Sequence, residues 1–408
     1  MWFGDALAFR ADKLGFMERA VRRGGVVELK LGRPPTFLLT EADDIRHVLV
    51  TDEPRFAKNS LLVDVAEPRL FGEGLVAAPE DGHRAARLSL QPAFNHRELA
   101  PLADAIAECA EEVREGDALL PDLTHSLALR IRRRVLLGGA GDDVADEVDN
   151  ALRLRQRYID RAFASPLPFS DRLPTRARSE YRRAQAALER VLLPFVRAGG
   201  EEGTLLALLA RLDLGERRTF DEARGFLASY ELSALGLAWT LWLLAERPEA
   251  QEELRGNGDP MGFPQLVYSE ALRLYPPTWL FVRVASEEAK LPSGASLPSG
   301  ARLFLCPYAT HRDPRYFPDP EAFEPRRERP RGAYFPFGGG RHVCIGEGFV
   351  RLEAAVVLGR LAESFDLERA DDAPARPAPG ATLRLAGSPR IWLNRRTPSG
   401  PSVSITRT

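Results

Sequence analysis

The chain has 408 residues, of which 44% are hydrophobic and 28% charged, and its formal net charge is -2 at pH 7. That length can bury a large core, and the charge lacks the basic excess expected of a nucleic-acid-binding protein. Three cysteines without a C-x-x-C pair, Cys109, Cys306 and Cys344, exclude a framework of bridges and predict a reducing compartment.

Length alone would allow two or three domains, but no linker divides the chain, so one domain over 1–408 is expected, with about 395–408 a loose tail. The N-terminus carries Asp5, Arg10, Asp12 and Lys13. It therefore has neither an apolar run near the roughly 20 residues that span a bilayer nor a signal-peptide pattern. A soluble, cytoplasmic protein without a membrane anchor is the expectation. Only Lys13, Lys30, Lys58 and Lys290 among the 56 basic residues are lysine, a bias that fits bidentate arginine pairs and genome composition equally well.

In chain order, Val26 to Thr40 alternates and predicts two short strands around Arg33, Pro34 and Pro35, and Glu41 to Val50 predicts a helix. Asn59 to Pro79 is apolar but punctuated by proline and glycine, which predicts irregular structure over a pocket. EDGHRAARLSL then reads as a helix on which His83 and Arg87, four apart, share a face. Residues 99 to 215 predict several helices, with Arg130 to Arg134 a solvated face and Ala162 to Pro174 a proline-rich break. Phe220 to Glu246 is one long apolar helix. Its Gly225, Ala228, Ser229, Leu232, Ser233 and Gly236 share a face, small-sided except for Leu232, that would either pack a helix or let something large lie against the backbone. Phe263 to the prolines at 276 and 277 is helical and brings Glu270 and Arg273 together. Trp279 to Ala285 predicts a strand, and Ala381 to Asn394 a last strand pair.

Between them lies FPFGGGRHVCIG, residues 335 to 346, followed at once by a helix from Glu347 to Phe365. Glycines let amide N–H groups approach one sulfur, and the next helix's N-terminus adds partial positive charge, so both favour a thiolate at Cys344 over an inert buried cysteine. The pattern carried by Phe337, Gly340, His342, Cys344 and Gly346 resembles the haem-binding loop of the cytochrome P450 monooxygenases. Matching motifs run from about the fifties to the end of the chain in that family's order.

The resemblance implies a mainly α fold with small β-sheets, and haem b held between a long distal helix and a proximal cysteine loop. It implies Cys344 as the iron ligand, where thiolate donation favours O–O cleavage, and Phe337 and Gly346 as parts of its loop. His83, Arg87, Arg283 and His342 would anchor the haem propionates, with His83 in place of the commoner tryptophan. Ala228 would let the cofactor approach the distal helix. Glu270, Arg273 and Arg327 are similar to the family's E-x-x-R scaffold. The distal signature is altered: Glu231 keeps the acid, but Leu232 stands where the family has a threonine that helps hold dioxygen and its proton-delivering water. Ser233 is the neighbouring hydroxyl, rotated by about 100°.

The function so implied is insertion of one oxygen atom from O2 into a small apolar organic substrate, a terpenoid, a carotenoid or a fatty acid. Electrons would come from a separate ferredoxin or flavodoxin type donor with its reductase. The LYPPTW segment is similar to thermophile carotenoid-hydroxylating members. Oxidation driven by hydrogen peroxide is a second reading because of Leu232, and a non-catalytic haem or ligand-binding protein a third.

Overall fold

A computed structural model describes residues 4–58, 71–164, 175–256, 262–372 and 374–396. The expected irregular stretch from Asn59 and the break before Pro174 fall largely outside these residues, as does the tail from 397.

Helices dominate and the strands form small sheets. The alternating segment gives β1 (Val26–Leu29) and β2 (Thr36–Leu39), paired antiparallel. Distant strands extend that sheet: β3 (Phe56–Lys58), β5 (Phe281–Ala285) and β6 (Arg302–Leu305), in the order β1-β2-β6-β5-β3. The register sets Lys58 opposite Arg283, so two cations share one patch of sheet.

The helices that frame the site are α1 (Glu80–Leu90), α2 (Leu120–Leu137), α3 (Ala145–Ala164) and α4 (Arg176–Ala198). After them come α5 (Glu216–Ala228), α6 (Tyr230–Ala245), α7 (Phe263–Leu274) and α8 (Glu347–Ser364). Between α1 and α2 lies β4 (Gly116–Leu119), and after α8 come β7 (Phe365–Arg369), β8 (Arg376–Pro379), β9 (Leu383–Ala386) and β10 (Arg390–Arg395). The expected pair within 381–394 does not form. β9 pairs instead with β8, and β10 lies between β4 and β7, because each finds its antiparallel partner in a segment whose own apolar pattern is too short to announce a strand.

The long apolar helix divides at Ser229. There the Ser229 hydroxyl donates to Phe226 O at 2.7 Å, and its N–H is shared between Gly225 O and Phe226 O. Such back-bonding bends helices. The stretch Glu216–Ala245 has the length and apolarity of a membrane span, but 89% of its most apolar window is buried inside the protein. Among the residues of α6, Leu232 is the exposed one, at 39%.

The arginine run is a second departure. Arg132 and Arg133 are buried, and all four arginines are paired: Arg130 with Glu112, Arg132 with Glu353, Arg133 with Asp149, and Arg134 with Glu108 and Asp142. Arginine stems pack apolar surface while the heads find carboxylates, and sequence periodicity does not show those distant acids. The other two cysteines are core residues as expected. Burial pushes the Cys109 thiol up to about 11 and the Cys306 thiol up to about 12.

Candidate active site

The cysteine loop folds back on itself before α8 begins. Cys344 N–H donates to Phe337 O at 3.0 Å, and Glu347 N–H to Cys344 O at 3.3 Å. Gly340 has φ +63°, and a Cβ there would lie 2.0 Å from Leu49 O, so only glycine lets the loop seat on the turn at Leu49. A Cβ at Gly346 would stand 3.8 Å from the Cys344 sulfur. Phe337 lies under the Arg351 guanidinium, 5.2 Å from its ring centre, and Arg351 is held by Glu347.

Cys344 keeps an exposed surface, yet the protein packed around its sulfur pushes the thiol up. The Gly346 amide and the charges of Arg87 and Arg132 pull it down, while Glu347 pushes it up. The expected thiolate-favouring groups are therefore present, but within the protein alone burial outweighs them. A metal cation at the sulfur would reverse that balance.

Beside the cysteine is a cluster of cations and imidazoles. Arg87 donates to Val343 O at 2.6 Å, and the His83 and His342 nitrogens lie 3.2 Å apart. Burial, then the charges of neighbours that include Lys58 and Arg87, hold His83 down to about 4; His342 is held to about 3 by burial, then Lys58 and Arg283. The positive charges of Lys58, Arg87 and Arg283 thus converge on one pair of neutral rings. Against them stand Glu53 and Glu80, already engaged with Arg341 and 2.9 and 3.1 Å from His342 Nε2. His83 Nδ1 is buried and has no hydrogen-bond partner among the described residues. Cations gathered around a buried orphan nitrogen suit a group bearing carboxylates, so the residues present fit a haem that Cys344 would ligate and whose propionates this cluster would hold.

The small-residue face of the distal helix is really two faces. Gly225, Ala228 and Leu232 follow one line, with Gly225 facing Phe71 and Leu232 exposed. Ser229, Ser233 and Gly236 follow another, turned into the helical core. Tyr268 fills the space beside Gly236, where a Cβ would meet its hydroxyl at 2.4 Å. The Ser233 hydroxyl accepts from Arg132 Nη2 at 2.5 Å and is 1% exposed. Ser233, the neighbouring hydroxyl already rotated from the direction of Leu232, thus has its oxygen engaged by a guanidinium on the core side.

Glu231 is buried and points to a third side. Arg384 of β9 binds it at 2.7 Å and His125 of α2 at 3.2 Å, and Arg384 also binds Asp160 of α3 at 2.8 Å. These residues line a cavity of about 260 Å³ together with Arg153, Gln156 and Tyr230. Burial works against the Glu231 charge, but His125 and Arg384 outweigh it and hold the carboxyl below its usual range. Conversely, although burial lowers His125, Glu231 raises it above the ordinary imidazole value.

Lys58, Glu53, Glu80, His125 and Arg384 were not singled out in the sequence. Only Lys58 offered a signal, as one of four lysines in an arginine-rich chain; the others meet the site through long-range pairing.

In the E-x-x-R cluster Glu270 and Arg273 are fully buried, and Arg327 reaches them from a partly buried position. Glu270 binds Arg273 at 2.8 Å and Arg327 at 3.0 Å, and Arg273 also donates to the carbonyls of His311, Pro320 and Ala322.

Residues 223–389 match the model of the Cytochrome P450 family. Cyclooctat-9-en-7-ol 5-monooxygenase of Streptomyces melanosporofaciens is 30% identical over 93% of this chain and 89% of its own length. The chain belongs to the cytochrome P450 family. Pentalenene oxygenase of Streptomyces avermitilis is 28% identical over 97% of the chain and 96% of its own length. Among solved P450 structures, CYP175A1 from Thermus thermophilus superposes with a TM-score of 0.79 at 27% identity, covering 96% of this chain and 98% of that one. The fold is thus the mainly α P450 fold, and the protein is a haem-iron monooxygenase of that family.

Proposed function

We propose that residues 1–408 act as one domain, a cytoplasmic monooxygenase that hydroxylates an apolar terpenoid. The observation that carries the substrate class is near full-length similarity to oxygenases named for cyclooctat-9-en-7-ol and pentalenene. Haem b, bound through Cys344, supplies dioxygen activation with electrons from a separate ferredoxin or flavodoxin type donor and its reductase.

The chain's own residues then have distinct tasks. The Gly346 amide favours the thiolate, and Phe337 braces the loop against Arg351. Arg87, Arg283, His83 and His342, joined by Lys58, hold the propionates. Ala228 and Leu232 present an apolar wall, which suits a hydrocarbon skeleton and excludes water. Glu231 exchanges protons with solvent through His125 Nε2, where the side cavity opens.

Spectral titration with terpenoids and with fatty acids tests the substrate class. A high-spin shift and hydroxylated product with a terpenoid are expected; tight binding and turnover of fatty acids alone would contradict it.

A peroxide-driven reaction is the second reading, supported by one observation: the hydroxyls of Ser229 and Ser233 are turned to Arg132, away from Leu232. A positioned proton donor contributes about 10² to 10⁴ in rate, so its absence should divert electrons to hydrogen peroxide. Leu232→Thr is expected to raise product formed per electron pair. Tight coupling in the wild type, unchanged by that substitution, would remove the ground for this reading.

A further inference from the structure

Arg132 is fully buried on α2, between the rings of Phe226 and Phe349 at 4.9 and 4.4 Å. Its guanidinium has three polar attachments. Nη1 lies 3.1 Å from Glu353, which is 1% exposed on α8, and Nε and Nη2 donate to the hydroxyls of Ser229 and Ser233 at 3.3 and 2.5 Å. The two serines are four apart, one at the break of the distal helix and the other one turn beyond it. Between them is Leu232, the exposed residue of α6.

A buried ion pair is an inefficient way to stabilise a core, because desolvation offsets most of the attraction and apolar residues of similar volume often do as well. A planar fork, however, can hold two hydroxyls in fixed relation as no apolar side chain can. Glu353 fixes the fork, the aromatic rings fix its plane, and the fork fixes two successive turns of helix. Because Ser229 already donates its own proton to Phe226 O, the Arg132 contact adds a second restraint at the atom where the helix bends.

Resting on the haem reading above, we propose that Arg132 is a positioning residue for oxygen activation: clasping Ser229 and Ser233 while anchored on Glu353, it sets the break in the distal helix and hence the direction of Leu232. The clasp takes the hydroxyls of this turn into the core and leaves an apolar side chain facing the pocket. It also ties the distal helix to the helix that follows the iron-binding cysteine.

The test uses the haem-loaded protein and the C–O stretching band of its reduced carbon monoxide complex, which reports the surroundings of the distal ligand. Ser229→Ala/Ser233→Ala removes both acceptors and leaves the ion pair intact. Arg132→Met/Glu353→Leu removes the clasp without leaving a lone buried charge. Both are expected to keep the red-shifted Soret band of thiolate ligation while shifting and broadening the C–O band. Arg132→Lys, a cation without the fork, should shift it as well. The shift should be non-additive with that of Leu232→Ala, because the clasp acts through this side chain. An unmoved C–O band in the serine variant, or shifts that simply add, would overturn the proposal even if the arginine variant fails to fold. Absence of the red-shifted Soret band from the unmodified protein would overturn the haem reading and the clasp with it.

Discussion

At Glu231 a single carboxylate is held by two cations of different kind, and this fixes how the pair with His125 responds to pH. His125 is raised in the folded protein above its ordinary 6.5, so its contribution to stability is complete below that value and is lost as pH rises through the folded value. Glu231 is lowered from 4.5, so its contribution is present above that value and disappears as pH falls through the folded one. The contact is therefore worth most between about pH 4.5 and about pH 6.5. Thermal unfolding of wild type and His125→Gln from about pH 5 to about pH 9 should show a gap in midpoint that narrows as pH rises. A gap that is constant or widens would contradict the assigned pairing. His125 itself had no local signal in the sequence, since it meets Glu231 across 106 positions of chain. Cys344 was legible because glycines, a basic pair and a helix start surround it within a dozen residues. The Arg132 contact of Ser233 was not legible, because helical spacing gives the angle between two side chains but not which neighbour claims a hydroxyl.

The cluster proposed to hold the propionates is assembled from elements that sequence order keeps apart, with α1 supplying His83 and Arg87, the paired strands β3 and β5 supplying Lys58 and Arg283, and the cysteine loop supplying His342. Hydrogen bonds to charged groups contribute about 1.5 to 3 kcal/mol each. Arg87→Ala and Arg283→Ala should each speed haem transfer to an apoprotein acceptor by about ten- to a hundredfold. His83→Ala should have a smaller effect, because its ring is held neutral. Unchanged transfer rates in both arginine variants would exclude the propionate role. The helices were read well at this scale: α8 begins at the predicted Glu347, and α7 at Phe263. The break at Ser229 was not, because it depends on a side chain bonding its own backbone and on a guanidinium from α2. The strands β4, β7 and β8 also escaped, being four or five residues long and made by pairing more than by pattern.

Across the whole molecule, two buried charge clusters hold the cysteine region in place. Glu270 gathers Arg273 and Arg327, linking α7 to the irregular chain before the cysteine loop. Arg132 and Glu353 link the distal helix to α8. Breaking either by one partner strands a charge, at a cost of about 3 to 5 kcal/mol. The function rests on one sulfur, that of Cys344. The most direct measurement is the carbon monoxide difference spectrum of the reduced, haem-loaded protein, taken for wild type and for Cys344→Ala. Wild type is predicted to show the strongly red-shifted Soret band of thiolate ligation, and Cys344→Ala to lack it. The same band persisting in Cys344→Ala would contradict Cys344 as the iron ligand, and with it the site built around that loop.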